Sequence, residues 1–389
     1  MERHYGMDWL RIGAFALLIL YHVGMVFVPW GFHIKTAHPA DWAAVPMLFT
    51  NAWRLLLLFL VSGFASRMLL AKSAGLRAFV ANRNARLLLP LLFGMAVIVP
   101  PQSWVELVVK HGYAQDYWWF WTHDYFRFGK LHGVVLPTWN HLWFVAYLWV
   151  YTLALAVLVT LPVNLQKLFD RIFGGTGALW VPLAFLLLIH VVLLRRGEET
   201  HDLFHDGSAH LAYFPALLFG FGLGGSRKAM GAFARLWMPS ATLALASFAV
   251  VGGIEGVWPG DTPGPHWAGD AFRVAREVQT WASIAALIGI AERFLNRDHR
   301  WRAMLTEAVF PFYIIHQTVI VTGEYTLRPF ALPAFAEFAI LVAATVAGCW
   351  LFYLVGRAIP PLRPFVGLRL RVARATRSAT PLAQSQGVP

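Results

Sequence analysis

Apolar residues are gathered into about ten stretches, and an α-helix needs about 20 mostly apolar residues to cross the hydrocarbon of a bilayer. The stretches cover 8–30, 46–70, 87–109, 139–161, 178–194, 210–224, 236–255, 274–294, 308–326 and 333–356. No other feature narrows the fold as far. With 58% hydrophobic and 13% charged residues, a chain of 389 residues cannot hide so much apolar surface in one soluble core. The expectation is an all-α integral membrane protein of about ten transmembrane helices. The sixth stretch is short and glycine-rich, and Arg273 and Arg276 blur the start of the eighth.

Charge sets the orientation. A formal charge of +12 could suit nucleic acid, but a membrane protein more often carries Lys and Arg in cytoplasmic loops, and no nucleic-acid partner is expected. With the N-terminus inside, Arg3 and Arg11, the group from Arg67 to Arg86, Lys167 and Arg171, Arg227 to Arg235, and Arg293 to Arg302 fall on one side. The tail adds Arg357, Arg363, Arg369, Arg371, Arg374 and Arg377. Both termini are therefore expected in the cytoplasm. Asp8 lies where a signal peptide would be positive and no cleavage pattern follows, so the first stretch reads as a retained helix. After Pro360 and Pro361 the chain turns Arg-rich, then Ser-, Thr-, Gln- and Pro-rich. That change divides a transmembrane domain, 1–360, from a basic, disordered cytoplasmic tail, 361–389, that touches anionic lipid. The single cysteine, Cys349, rules out an intramolecular disulfide framework.

Two loops between stretches differ in character. Residues 110–138 carry Tyr113, Tyr117, Trp118, Trp119, Trp121, Tyr125 and Phe126 among polar neighbours, which suits an interfacial belt or a platform for sugar rings. Residues 195–209 carry Glu198, Glu199, Asp202 and Asp206 and read as a solvated surface.

Ionisable residues inside apolar stretches are costly and mark functional positions. The first group is Asp8, Arg11 and His22. Eleven helical residues return to one face after about 16 Å, so Arg11 at one surface would hold His22 near the bilayer midplane. The second is the pair Arg83 and Arg86, three apart at a helix end, where two guanidinium forks can meet one phosphate group or simply obey topology. The third runs from Thr306 and Glu307 to His316, a rise of about 13 Å that brings His316 near the depth of His22, with Pro311 bending the helix between them. The fourth is Asn140, His141, Leu142 and Trp143 at the outer end of the fourth stretch, where His141 would sit near water and orient an acceptor or anchor the interface. Ser62 and Gly63 read as a close helix contact. No Gly-x-Ser-x-Gly elbow, phosphate-cradling glycine loop or His-Glu-x-x-His motif is present, so no metal ligands are expected.

Taken together, Arg11 with His22, Phe59-Leu60-Val61-Ser62-Gly63-Phe64, Arg83-x-x-Arg86 before Leu87 and Pro90, His141-Leu142-Trp143-Phe144 and Pro311-Phe312-Tyr313-Ile314-Ile315-His316-Gln317 resemble the acyltransferase 3 family of integral membrane O-acyltransferases. The resemblance runs from about residue 5 to 360. The last motif is most similar to the branch of glucan succinyltransferases that modify periplasmic glucans. What the resemblance implies is a bacterial inner-membrane enzyme that moves a short acyl group, succinyl or acetyl, from cytoplasmic acyl-coenzyme A to a hydroxyl of an extracytoplasmic glycan, alone or beside a partner in glycan synthesis. It implies that Arg83 and Arg86 hold coenzyme A phosphates, that Arg11 helps them or orients the thioester, and that His22 activates the acceptor or carries the acyl group. His316, Tyr313 and Glu307 would line the cavity, with His141 and Trp143 on the acceptor side. No permanently bound cofactor is implied. A proton-coupled transporter or flippase for a small anion or lipid-linked sugar would also place His and Arg at helix depth, although no internal repeat supports it.

Overall fold

The chain, in a computed structural model, is described at residues 4–193, 200–260 and 262–370. Glu198 and Glu199 of the acidic loop and residues 371–389 of the tail lie outside the described residues. The helices are α1 (Tyr5–Gly24), α2 (Ala44–Asn51), α3 (Arg54–Lys72), α4 (Leu76–Arg83), α5 (Leu89–Phe93), α6 (Pro100–His111), α7 (Tyr117–Trp119), α8 (Trp143–Leu158), α9 (Gln166–Phe173) and α10 (Gly177–Leu187). They continue as α11 (Gly207–Leu223), α12 (Arg227–Val257), α13 (His266–Phe294), α14 (Arg302–Leu327) and α15 (Ala334–Ala358). A single hairpin, β1 (Gly129–Leu131) with β2 (Val134–Leu136), pairs Lys130 with Val135.

Each expected stretch coincides with helix, but their number and limits differ from expectation. Among the described residues seven helical segments are long and apolar enough to cross a membrane, and an eighth qualifies if α9 and the helix from Gly177 to Val191, set at 96° to each other, count as one span. At 17 residues α11 is short, and α13 carries Arg276, Glu277 and Gln279 in its apolar run. That helix starts at His266, eight residues before the expected 274. The second stretch is broken between α2 and α3 at Ala52 and Trp53. The third is a single helical run from Leu76 to His111, loosened by π turns at Asn84–Leu88 and Gly94–Ile98. Such wide turns recur at functional sites. Beyond residue 360, Val366 and Leu368 bury against Ala308 and Tyr353, so this part of the chain folds back onto α14 and α15.

Side-chain caps start the helices where the sequence supplies short polar groups. Asp206 accepts from the Ala209 amide at 3.0 Å ahead of α11, and Ser226 accepts from the Ala229 amide at 3.0 Å ahead of α12. Lys35 ties off the end of α1 by donating to the carbonyls of Met25 and Val28 at 2.6 and 2.5 Å. Burial, with Lys110 nearby, pulls that ammonium down to about 8.

Packing fixes the relative direction of the helices. Asp8 meets Arg302 and His22 meets His316, each pair 294 residues apart, so α1 and α14 lie side by side, parallel and in constant register. Gly220 faces Leu60 and Gly224 faces Arg67, so α3 and α11 are parallel too. An alternating chain requires this of its first and ninth stretches, and of its second and sixth. The α3–α11 contact depends on two glycines. A Cβ on Gly63 would lie 1.9 Å from the Leu217 carbonyl oxygen, and one on Gly220 would lie 1.9 Å from that of Leu60. Because both obstacles are backbone, no side chain can swing away. We expect Gly63→Val to separate the two helices and lower the midpoint of thermal unfolding in detergent, at a cost at the upper end of the roughly 1–3 kcal/mol of ordinary overpacking. An unchanged melting profile by size-exclusion fluorescence would contradict this contact.

Candidate active site

The parallel pair α1 and α14 brings two imidazoles together in the interior. His316 Nε2 lies 3.1 Å from His22 Nδ1, and His316 Nδ1 lies 2.7 Å from the carbonyl oxygen of Tyr313. A carbonyl only accepts, so Nδ1 of a neutral His316 carries the proton and its Nε2 accepts. His22 Nδ1 must then donate, which leaves the lone pair on His22 Nε2. Among the described residues no side-chain hydrogen bond reaches that atom, and His22 is part-exposed, two residues before the end of α1. The arrangement presents one basic nitrogen to a ligand and orients its ring from behind.

A second layer braces this pair. His141, expected near water, is buried. The turn at Asn140–Leu142 that begins α8 tucks it inward, where its Nε2 donates to the Ile314 carbonyl at 3.1 Å and its ring stands edge-on to His316, centroids 5.0 Å apart. The Tyr313 hydroxyl donates to the His141 carbonyl, and its ring packs on Phe15 and Phe144. Gln102, fully buried on α6, uses its whole amide here. Its Nε2 donates to Thr318 Oγ1 at 2.7 Å and to His141 Nδ1 at 3.4 Å, while its Oε1 accepts from Asn140 and Gln317, each at 3.2 Å. From Gln317 the chain of contacts continues to His33 Nε2 at 2.9 Å, from His33 Nδ1 to Glu106 at 2.6 Å, and from Lys110 to Glu106 at 2.6 Å. A file of polar groups thus links the histidines to the end of the bundle that carries the aromatic loop.

The aromatic loop itself divides. Phe120 and Tyr125 bury against Leu107 and Leu136, and Trp121 donates to the Ala96 carbonyl at 2.8 Å. Trp118, Trp119, Phe126 and Phe128 stay exposed.

At the opposite end, Arg11, Arg83 and Arg86 lie within electrostatic reach of one another, and Arg369 lies within reach of Arg86. Arg11 Nη2 donates to the Thr306 carbonyl at 3.2 Å and Arg83 Nη2 donates to Ser66 Oγ at 2.5 Å. The Nε atoms of Arg11 and Arg83, with Asn82 Oδ1 and Thr306 Oγ1, are buried without a hydrogen-bond partner. Glu307 also belongs to this end, where Arg363 approaches it at 3.5 Å, and Asp8 is taken by Arg302 at 2.7 Å. Glu307 and Asp8 are outnumbered by the arginines around them, so the cluster is short of negative charge, and multiply charged phosphate is the ligand that such forks accept.

The expected residues therefore fall into two groups. His22, His316, His141 and Tyr313 meet in the interior, and Arg11, Arg83, Arg86 and Glu307 meet at the basic end. Trp143 joins neither, since its ring stacks on His201 at 4.1 Å and packs against Tyr147 and Tyr213. Sequence reasoning passed over Gln102, His33, Glu106 and Arg54. Gln102 and Glu106 were visible as polar residues inside the third apolar stretch. Arg54 is buried with its guanidinium 3.2 Å from the Tyr21 ring centroid, its charge reaches His22, and its Nε and Nη1 lack hydrogen-bond partners.

Replacing Gln102 with Leu would strand the Asn140 and Gln317 amides and leave His141 Nδ1 without a donor. Each orphaned buried group costs about 1–3 kcal/mol, so Gln102→Leu should lower the unfolding midpoint in detergent. Unaltered stability would mean that the amide network is dispensable.

Among known families, residues 4–354 match the one described as Acyltransferase domain. Over 166 residues the chain is 27% identical to the protein named Glucans biosynthesis protein C of Shigella boydii serotype 4 (strain Sb227), a match covering 43% of this chain and 40% of that protein. Over 169 residues it is 24% identical to the protein of the same name in Salmonella paratyphi B (strain ATCC BAA-1250 / SPB7), again covering 43% and 40%. The chain thus aligns with well under half the length of these curated relatives. No solved structure matches it.

Proposed function

Because the chain belongs to the Acyltransferase domain family, we propose that it moves a short acyl group, succinyl or acetyl, from acyl-coenzyme A to a hydroxyl of an extracytoplasmic glycan. The relatives' name refers to glucan biosynthesis, which supports a glucan as the acceptor; in this reading the glucan is periplasmic and the setting is the bacterial inner membrane. The observation that carries the reading is the unoccupied lone pair on His22 Nε2, held in place by His316.

In this reading coenzyme A binds at the basic end. Arg83 and Arg86 hold its phosphates, Arg11 adds a third cation on the path inward, and the thioester reaches toward His22. His22 Nε2 takes the proton of the acceptor hydroxyl as its oxygen attacks the thioester carbonyl carbon. The carbon–sulfur bond then breaks, the acyl group stays on the acceptor oxygen, and the proton on His22 passes to the departing thiolate. When His22 is protonated, both of its ring nitrogens are donors, and the bond to His316 Nε2 persists, so the ring keeps its orientation through the cycle. The exposed aromatic rings of residues 118–128 offer flat faces for the sugar.

His22→Ala is expected to insert into the membrane and express normally while losing at least the 10²–10⁴-fold that positioned proton transfer contributes. Near-normal acylation by that variant would remove the central claim. For the double variant Arg83→Ala with Arg86→Ala, the donor dissociation constant should rise by about tenfold or more, the weight of at least one charge-assisted contact to phosphate. An unaltered constant would return both residues to topology. Both measurements use purified protein in detergent with labelled acyl-coenzyme A and a glucan, where no membrane gradient exists, so turnover there also excludes a pure transporter.

A further inference from the structure

A large cleft lies away from both residue groups. It encloses about 940 Å³ between α3, α8, α9, α10 and α11, and its walls are apolar, among them Leu155, Phe169, Phe185, Ala216 and Trp281. Its polar lining residues are Arg67, Asn164 and Gln166. Arg67 follows Ser66 in the last third of α3, where Ser66 accepts from Arg83, and Asn164 precedes α9, which Gln166 begins.

Three features identify the occupant. First, α9 meets the helix from Gly177 to Val191 at 96°, so the two cannot share one membrane-spanning axis. Lys167 and Arg171 on α9 alternate with Leu168 and Ile172, which are exposed, as are Val163 and Leu165 just before it. A short helix with cations and bare apolar side chains at a bundle end lies at headgroup depth. Second, Arg67 has no carboxylate and no hydrogen-bond partner among the described residues. Its guanidinium rests 4.8 Å from the Phe221 ring centroid, at the cleft, and a cation left unpaired at this depth awaits an anion. Third, the surroundings are basic. Arg235 donates to the Gly174 carbonyl at 3.4 Å and Lys228 packs beside Gly174 at the end of α9, while Asp170 already accepts from Gln166 at 3.2 Å.

We propose that the cleft is a binding site for one acidic glycerophospholipid of the adjoining leaflet. The phosphate sits on Arg67, since the Gln166 amide is spent on Asp170 and the Gly222 carbonyl, and the acyl chains lie along the apolar walls. A zwitterionic lipid fits the walls equally well but brings its own ammonium to a site already rich in cations, so charge is the basis of selection.

The test uses the purified full chain, washed in detergent and returned to nanodiscs of phosphatidylcholine with or without phosphatidylglycerol. The wild type is expected to retain phosphatidylglycerol through the wash and to unfold at a higher temperature when that lipid is present. Arg67→Gln should weaken retention by about tenfold, the loss of one charge-assisted contact. Ala216→Trp, which fills the apolar part of the cleft, should weaken it while leaving Arg67 in place. On the wild type alone, phosphatidylglycerol bearing a photoreactive acyl chain should label residues 155–169 and 212–222, and soluble glycerol phosphate should not compete. Equal retention of phosphatidylcholine, labelling elsewhere, or displacement by glycerol phosphate would each overturn the proposal. The wild-type measurements decide it even where a variant fails to fold, and none depends on acyl transfer.

Discussion

The parallel contact between α1 and α14 is the joint on which the interior depends. It is fastened at one end by the ion pair of Asp8 with Arg302 at 2.7 Å and at the other by the imidazole pair of His22 with His316 at 3.1 Å. Both contacts join residues 294 apart, so a single register satisfies both. A slip of one residue turns a helix by about 100° and would break the two together. In hydrocarbon there is no water to take up the released groups, so the alternative registers are penalised more steeply than they would be in a soluble bundle. The histidine pair is therefore a structural contact as well as the proposed reactive centre, and its chemistry inherits the rigidity of the joint.

The same scarcity of water accounts for the second layer. Gln102 saturates its amide with four partners, and Gln317, His33, Glu106 and Lys110 hand polarity on to the bundle end in steps of 2.6–3.2 Å. Each member satisfies the next, so a fully connected network replaces hydration. Against that background the unsatisfied groups stand out. Arg11 Nε, Arg83 Nε, Asn82 Oδ1 and Thr306 Oγ1 are buried without partners at the basic end, and the His22–His316 contact runs through His22 Nδ1. Such groups, where they line the proposed site, are where a substrate has something to gain.

Much of this was legible in the sequence, for physical reasons. Length and apolarity located helices at all ten stretches because backbone satisfaction in a membrane leaves few options. Helical rise alone carried His22 and His316 to a common depth, and α1 and α14 then proved to be neighbours. What sequence could not supply was tertiary. The burial of His141 depends on the turn at Asn140–Leu142 and on Gln102 arriving from α6, some forty residues earlier. Trp143, two residues from His141 and also polar at its tip, faces the other way and stacks on His201. The fold of residues 361–370 was masked by arginines that drew attention from Val366 and Leu368 between them. The span of α13 was less legible for a related reason: it is helical where expected, but Arg276, Glu277 and Gln279 turn its polarity to α2 and the helix after α10 rather than to lipid.

The two groups of unsatisfied atoms also constrain one another. From Arg11 to His22 a straight helix rises about 16 Å, roughly half the hydrocarbon thickness. A donor whose charged part is held by Arg83 and Arg86 can reach His22 only through a long, thin, uncharged arm, because the interior between the groups is lined by Phe15, Leu18 and other buried apolar residues. An acceptor sugar meets the opposite restriction, since it is bulky and polar and finds aromatic faces and the file from Lys110 to Gln317 on its own side. In the proposed reaction each substrate would thus suit one half of the membrane and be excluded from the other. That asymmetry favours a meeting at the histidines, with only the acyl group crossing between the halves.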